Sequence, residues 1–145
     1  RRRKPEEPKK ILNLDSWAAY EDPRERMLAR LGNAGNAIVL TGDEHQNFCG
    51  DLVHKGKVVG SEFVATSISS GGDGSDKRGG TDEWLALNPE LKFSNDQRGY
   101  TVCDVNREAW QTHFMVVDKV TTPVNTLSKR ATGTVENGKP GISMG

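Results

Sequence analysis

The residues with the clearest chemical content are Gly42-Asp43-Glu44-His45. An aspartate and a histidine two positions apart can converge on one metal ion or on two adjacent ones. The carboxylate is a hard anionic ligand and the imidazole a neutral, borderline one. Gly42 lets the backbone turn sharply beside a bound group. A short Asp-x-His also arises by chance, and the plain alternative is a surface turn with a solvated histidine. Position favours the chemical reading. The run directly follows the apolar stretch Ala37-Ile38-Val39-Leu40, and polar residues just past a buried strand stand where open α/β sheets place their ligands.

Other reactive side chains carry less. His54 and His113 have no carboxylate or cysteine at ligand spacing and read as structural. Ser67-Ile68-Ser69-Ser70 lacks the Gly-x-Ser-x-Gly pattern of a nucleophile elbow. Gly71-Gly72-Asp73-Gly74 is followed by neither a phosphate-loop Lys-Ser/Thr nor a dinucleotide fingerprint. Lys77 and Arg78 could meet a phosphate, but a solvated loop is the simpler reading. Cys49 and Cys103 are the only cysteines; they form no disulfide framework, and two free thiols are the default. No residue stands out as a general acid, so catalytic residues are left unassigned.

The elements around these residues follow from pattern. Asp22-Pro23-Arg24-Glu25 reads as an N-cap, a proline at N1 and a glutamate at N3. Met27, Leu28 and Leu31 share one helical side, and Gly32 or Gly35 can close the helix in a left-handed cap. Ala37–Leu40 reads as a strand buried on both faces. Lys55-Gly56-Lys57 marks a turn before a strand over Ser61–Ser69. Ser70–Gly80 has five glycines and is expected to be a mobile loop, a lid or an insertion. Asp82–Leu87 reads as a short helix stopped before Pro89. Gly99–Val105 and Ala109–Val117 alternate about a turn at Asn106-Arg107, with Trp110, Thr112, Phe114 and Val116 on one face. Asn137-Gly138 suggests a type I′ turn.

Composition bounds the class. The 145 residues amount to about one domain. Twenty basic and twenty acidic residues cancel, which argues against a dedicated nucleic-acid binder. No apolar run approaches the ~18 residues that would cross a bilayer, and no signal peptide is visible. The chain opens Arg1-Arg2-Arg3-Lys4, so a cleavage product, one chain of a processed enzyme or a trimmed segment is expected. Residues 1–10 read as a basic flexible arm.

The order of motifs adds what single motifs lack. Asp15-Ser16-Trp17-Ala18-Ala19-Tyr20 precedes the Arg24/Arg26 helix. Val39–His45, Glu62–Gly71, Asn88–Phe93, Arg98-Gly99-Tyr100 and the strand from Trp110 to Val117 follow. This series resembles the C-terminal part of the alkaline phosphatase D family, the PhoD-like metallophosphoesterases. The resemblance implies a mixed α/β fold: the C-terminal portion of a four-layer α/β/β/α sandwich, with antiparallel strands in the last third. Residues 11–120 would be part of that domain, and residues 121–145 its C-terminal strand or tail.

The resemblance also implies hydrolysis of phosphate mono- or diesters by metal-activated water, with Asp43 and His45 as metal ligands. It suggests iron and calcium; zinc or manganese also suits the donors. It implies a secreted or periplasmic setting. The family's Trp-Asp-Gly-Tyr reads Trp17-Ala18-Ala19-Tyr20 here, so the local turn has lost its glycine. Its other ligands lie upstream. A metal cluster needs about five to eight ligands, and Asp43 and His45 supply two. The expected partner is therefore an upstream N-terminal chain of the same enzyme, and this chain alone is expected to be inactive. The competing reading is a non-catalytic binding or structural module with a vestigial metal loop.

Overall fold

A computed structural model describes residues 17–145. It contains two four-stranded sheets packed face to face, with two helices against the first. The mixed α/β expectation holds, and the second sheet is antiparallel throughout.

The chain enters through a 3-10 turn, Trp17–Ala19, that runs straight into helix α1, Glu21–Leu31. Asp22 is not the N-cap. Tyr20 holds that position because its carbonyl accepts from Arg24 N–H at 3.1 Å, while Tyr20 N–H donates to Trp17 O at 3.1 Å. Asp22 and Glu21 instead lie in the first turn, where their charge favours the helix dipole. Pro23 is tolerated there because first-turn N–H groups have no intrahelical partner. Gly32 ends the helix in a right-handed conformation, and Gly35 takes the left-handed turn, at φ 80°.

The first sheet has the order β1-β3-β2-β4. Its strands are β1 (Ala37–Thr41), β2 (Asn47–His54), β3 (Lys57–Val64) and β4 (Leu91–Asn95). β1 runs parallel to β3, whereas β2 is antiparallel to both β3 and β4. The expectation that β1 is buried on both faces is corrected: it is an edge strand. Ala37 is buried, Ile38 and Val39 are half-buried, and Leu40 is 55% exposed. The turn at Lys55-Gly56 is where the sequence places it, with both residues at positive φ. The following strand begins earlier than expected and stops at Val64, because its ladder partners end there.

The second sheet has the order β5-β6-β7-β8. β5 (Gly99–Val105) and β6 (Ala109–Val117) have the boundaries that alternation predicts. β7 (Leu127–Glu136) and β8 (Ser143–Met144) complete it. Only Gly138 of the Asn137-Gly138 pair has positive φ, at 75°, so the turn is not type I′, which needs both. Thr112, Phe114 and Val116 are buried on the predicted face. Phe114 packs on Phe93 of β4 and Phe63 of β3, with ring centroids 4.9 and 6.4 Å away. Cys49 and Val135 close this core between the sheets. Alternation sends Phe48 the other way, onto Trp84 of helix α2, Thr81–Leu87. Both cysteines are free thiols. No described helix is long and apolar enough to cross a membrane.

Candidate functional site

β1 and β3 are parallel neighbours, so the segments that follow them leave the sheet at the same end. One is the loop of Gly42 to Gln46; the other is the glycine-rich segment 65–80. Loops at the carboxyl ends of parallel strands are where α/β sheets hold ligands.

Asp43 and His45 both lie in the first loop and are exposed. Both sit at positive φ, 72° and 54°. A non-glycine residue there costs of order 1 kcal/mol or more, and such strain clusters at functional sites. Neither side chain makes a hydrogen bond or ion pair with another described residue. A carboxylate and a neutral imidazole, uncommitted and displayed together, fit a divalent metal as two of its ligands. No group of three or more His, Cys, Asp or Glu suited to a metal occurs among the described residues.

Behind the loop the chain is buried and polar, a feature that sequence reasoning missed. Gln46 and Asn47 are 2% and 0% exposed. Asn47 Nδ2 donates to Asn95 Oδ1 at 3.1 Å and to Gln97 O at 3.4 Å, and its Oδ1 accepts from Thr66 N–H at 3.2 Å. Asn95 Nδ2 donates to Asp76 Oδ1 at 3.1 Å and to Gln97 Oε1 at 3.0 Å. The Asp76 carboxylate is held below the usual range, first by the hydrogen bond from Arg130 and then by its charge and by Asn95.

Arg98 is also fully buried. Its Nη1 donates to Ser67 Oγ at 3.1 Å and Ser70 O at 2.8 Å; its Nη2 reaches the carbonyl and the Oδ1 of Asp96. Asp73 accepts from Val120 N–H, Thr121 N–H and Thr121 Oγ1 at 2.7–2.9 Å, which lowers its pKa. The glycine-rich segment, expected to be a mobile loop, a lid or an insertion, is thus tied down at Ser67, Ser70, Asp73 and Asp76. Gly74 explains one of its glycines: at φ 72°, a Cβ would lie 1.8 Å from Asp96 O.

The remaining candidates are occupied elsewhere. Arg78 pairs with Asp96 at 3.3 Å and Lys77 with Asp82 at 2.6 Å, so neither is a free phosphate contact. His54 meets Glu25 of α1 at 3.1 Å. His113 bridges Asp104 and Thr132 across β5, β6 and β7, at 3.0 and 2.8 Å. Both histidines, expected to be structural, have carboxylate partners that their neighbours in sequence did not reveal. Asp15 and Ser16 lie outside the described residues, as does the basic arm. A groove of about 470 Å³ lined by Ile38, Arg107, Trp110 and Val135 opens at the other end of β1, away from the Asp43 loop.

The class defined by the fold is a two-sheet, mixed α/β chain with an Asp-x-His loop at the end of a parallel strand pair. The PhoD-like phosphatase family model matches residues 1–114, and the chain belongs to that family. It is 39% identical over 139 residues to alkaline phosphatase D of Bacillus subtilis (strain 168), covering 91% of this chain and 24% of that protein. A solved structure, described as the structure of PhoD, superposes with a TM-score of 0.84 at 38% identity, over 90% of this chain and 26% of that one. The chain therefore spans about a quarter of the length of the relatives it matches.

Proposed function

We propose that this chain supplies the C-terminal part of a metal-dependent phosphoesterase, with Asp43 and His45 as metal ligands. Family membership supports the reaction class. One structural observation supports the ligands: two exposed non-glycine residues held at positive φ at the carboxyl end of a parallel strand pair. A bound metal would lower the pKa of a water and neutralise charge on phosphate oxygens. Asp43 and His45 would anchor it from this chain's side, the carboxylate through oxygen and the imidazole through its unprotonated nitrogen. Two side chains fall short of a full coordination sphere, so the other ligands would come from an upstream chain of the same enzyme. Iron with calcium is the metal pairing carried by the resemblance; manganese or zinc fits the same donors.

The test is reconstitution. The upstream portion of the Bacillus subtilis relative would be mixed with this chain and assayed on phosphate mono- and diesters. Asp43→Asn and His45→Ala are each expected to cut hydrolysis by at least about a hundredfold, while the two chains still co-elute. Full activity in both variants would sink the assignment. A reconstituted complex without stoichiometric metal would favour a binding module with a vestigial loop.

A further inference from the structure

The loop of Gly42 to Gln46 is held at both ends by two consecutive backbone amides. Beyond Val64, β3 has no further ladder partners, yet its next two N–H groups are used. Ala65 N–H donates to Thr41 O at 3.0 Å, on the β1 side. Thr66 N–H donates to Asn47 Oδ1 at 3.2 Å, on the β2 side. Thr41 is the residue before the loop and Asn47 the residue after it. β3 lies between β1 and β2, so this dipeptide sets the span that the loop must bridge. The first end is tied to β3 by main chain alone; at the second, Asn47 sits in the β2–β4 ladder opposite Asn95, and its tie to Thr66 runs through one side chain. Asn47 is held in turn by its donations to Asn95 and Gln97, and it is fully buried.

We infer that Asn47 is a positioning residue that keeps Asp43 and His45 in the backbone conformation from which they can share a metal. This rests on their reading as ligands. Two strained residues in one short loop relax unless the chain on either side prevents it. Without Asn47 Oδ1, the trailing end keeps its ladder to β4 but loses its tie to Thr66, the positive φ values relax, and the two side chains diverge. Asn95 is a partner of Asn47 but does not touch Thr66; its removal should cost stability without freeing the loop.

The experiment follows backbone amides of the ¹⁵N-labelled chain as MnCl₂ is added. Wild type should show paramagnetic broadening centred on residues 42–47 and reaching their spatial neighbours such as Ala65 and Thr66, and His45→Ala should remove it. Asn47→Ala should keep a dispersed spectrum but need about tenfold more Mn²⁺ for the same broadening, as is usual when a residue supporting a metal ligand is lost. Asn95→Ala should lower the melting temperature comparably, with a Mn²⁺ response near wild type. If Asn47→Ala does not fold, Asn47→Gln, which keeps the amide but displaces its oxygen by one methylene, takes its place with the same expected loss. A wild-type Mn²⁺ response in a folded Asn47 variant, or an equal loss in Asn95→Ala, overturns the positioning role. Broadening centred on another part of the chain, or broadening unchanged by His45→Ala, overturns the ligand reading on which it rests.

Discussion

Three non-glycine residues have positive φ among those described: Asp43, His45 and Lys55. Lys55 has a local reason, since it and Gly56 form the tight turn joining β2 to β3. Asp43 and His45 serve no hairpin, which is why we assign their strain to the frame behind them. Cys49 shows the opposite case, a reactive group made inert. Burial in the core, and then the Asp51 charge, push its thiol up to about 12 from an ordinary 9.0. Between those values the unfolded chain has lost the Cys49 proton and the folded chain has kept it, so stability falls as pH rises. The slope from this one group is about 1.4 kcal/mol per pH unit above about pH 9. Thermal unfolding of wild type and Cys49→Ala between pH 8 and 11 checks it. The two curves should converge as pH rises, because the variant lacks this part of the alkaline loss; parallel curves would show that Cys49 ionises alike in both states.

The antiparallel pair β5–β6 was legible because it alternates strictly, with Trp110, Thr112, Phe114 and Val116 on one side of the pleat. β2 was not, since Asn47-Phe48-Cys49-Gly50-Asp51 mixes residues depleted in strands with core residues; Asn47 accepts from Thr66 N–H in the buried network, and Asp51 accepts from Ile142 N–H of the C-terminal segment. The Asp43–His45 loop could be read from residue types and its place after a strand. Its frame could not, because buried polar residues have the composition of a loop and are recognised only through partners distant in sequence. Asn47 meets Asn95, and Arg98 meets Ser67 and Ser70. Arg98 is the strongest of these ties, a buried guanidinium paired with Asp96. Arg98→Met leaves that carboxylate with only Arg78, which is largely exposed. Breaking a buried pair in this way costs about 3–5 kcal/mol. The variant should unfold at lower denaturant, and a protease should cut first between residues 67 and 75. Cleavage first at another segment would place the weak point elsewhere.

Across the whole molecule, the two ends of β1 differ in kind. The carboxyl end carries the exposed Asp43 and His45. Among the described residues the strand is an edge of its sheet, with Leu40 55% exposed and no strand paired on its outer side. Natural edges are usually shielded by charge, proline or a covering element. β1 reads Ala-Ile-Val-Leu-Thr and has none of the first two. The relatives are about four times as long as the chain that matches them, and our proposed function requires further ligands near Asp43. An upstream segment seated along β1 would meet both needs, covering the edge and bringing its donors to the loop that follows it. A lysine at position 40 would oppose that seating while leaving Asp43, His45 and Asn47 untouched. Leu40→Lys is therefore expected to weaken association with the upstream portion at least tenfold, about 1.4 kcal/mol, as read by analytical ultracentrifugation of the mixed chains. The variant alone should melt as wild type does, because Leu40 contributes little to this chain's own core. Association at wild-type strength would mean that the upstream portion docks elsewhere, and that the edge of β1 plays no part in completing the site.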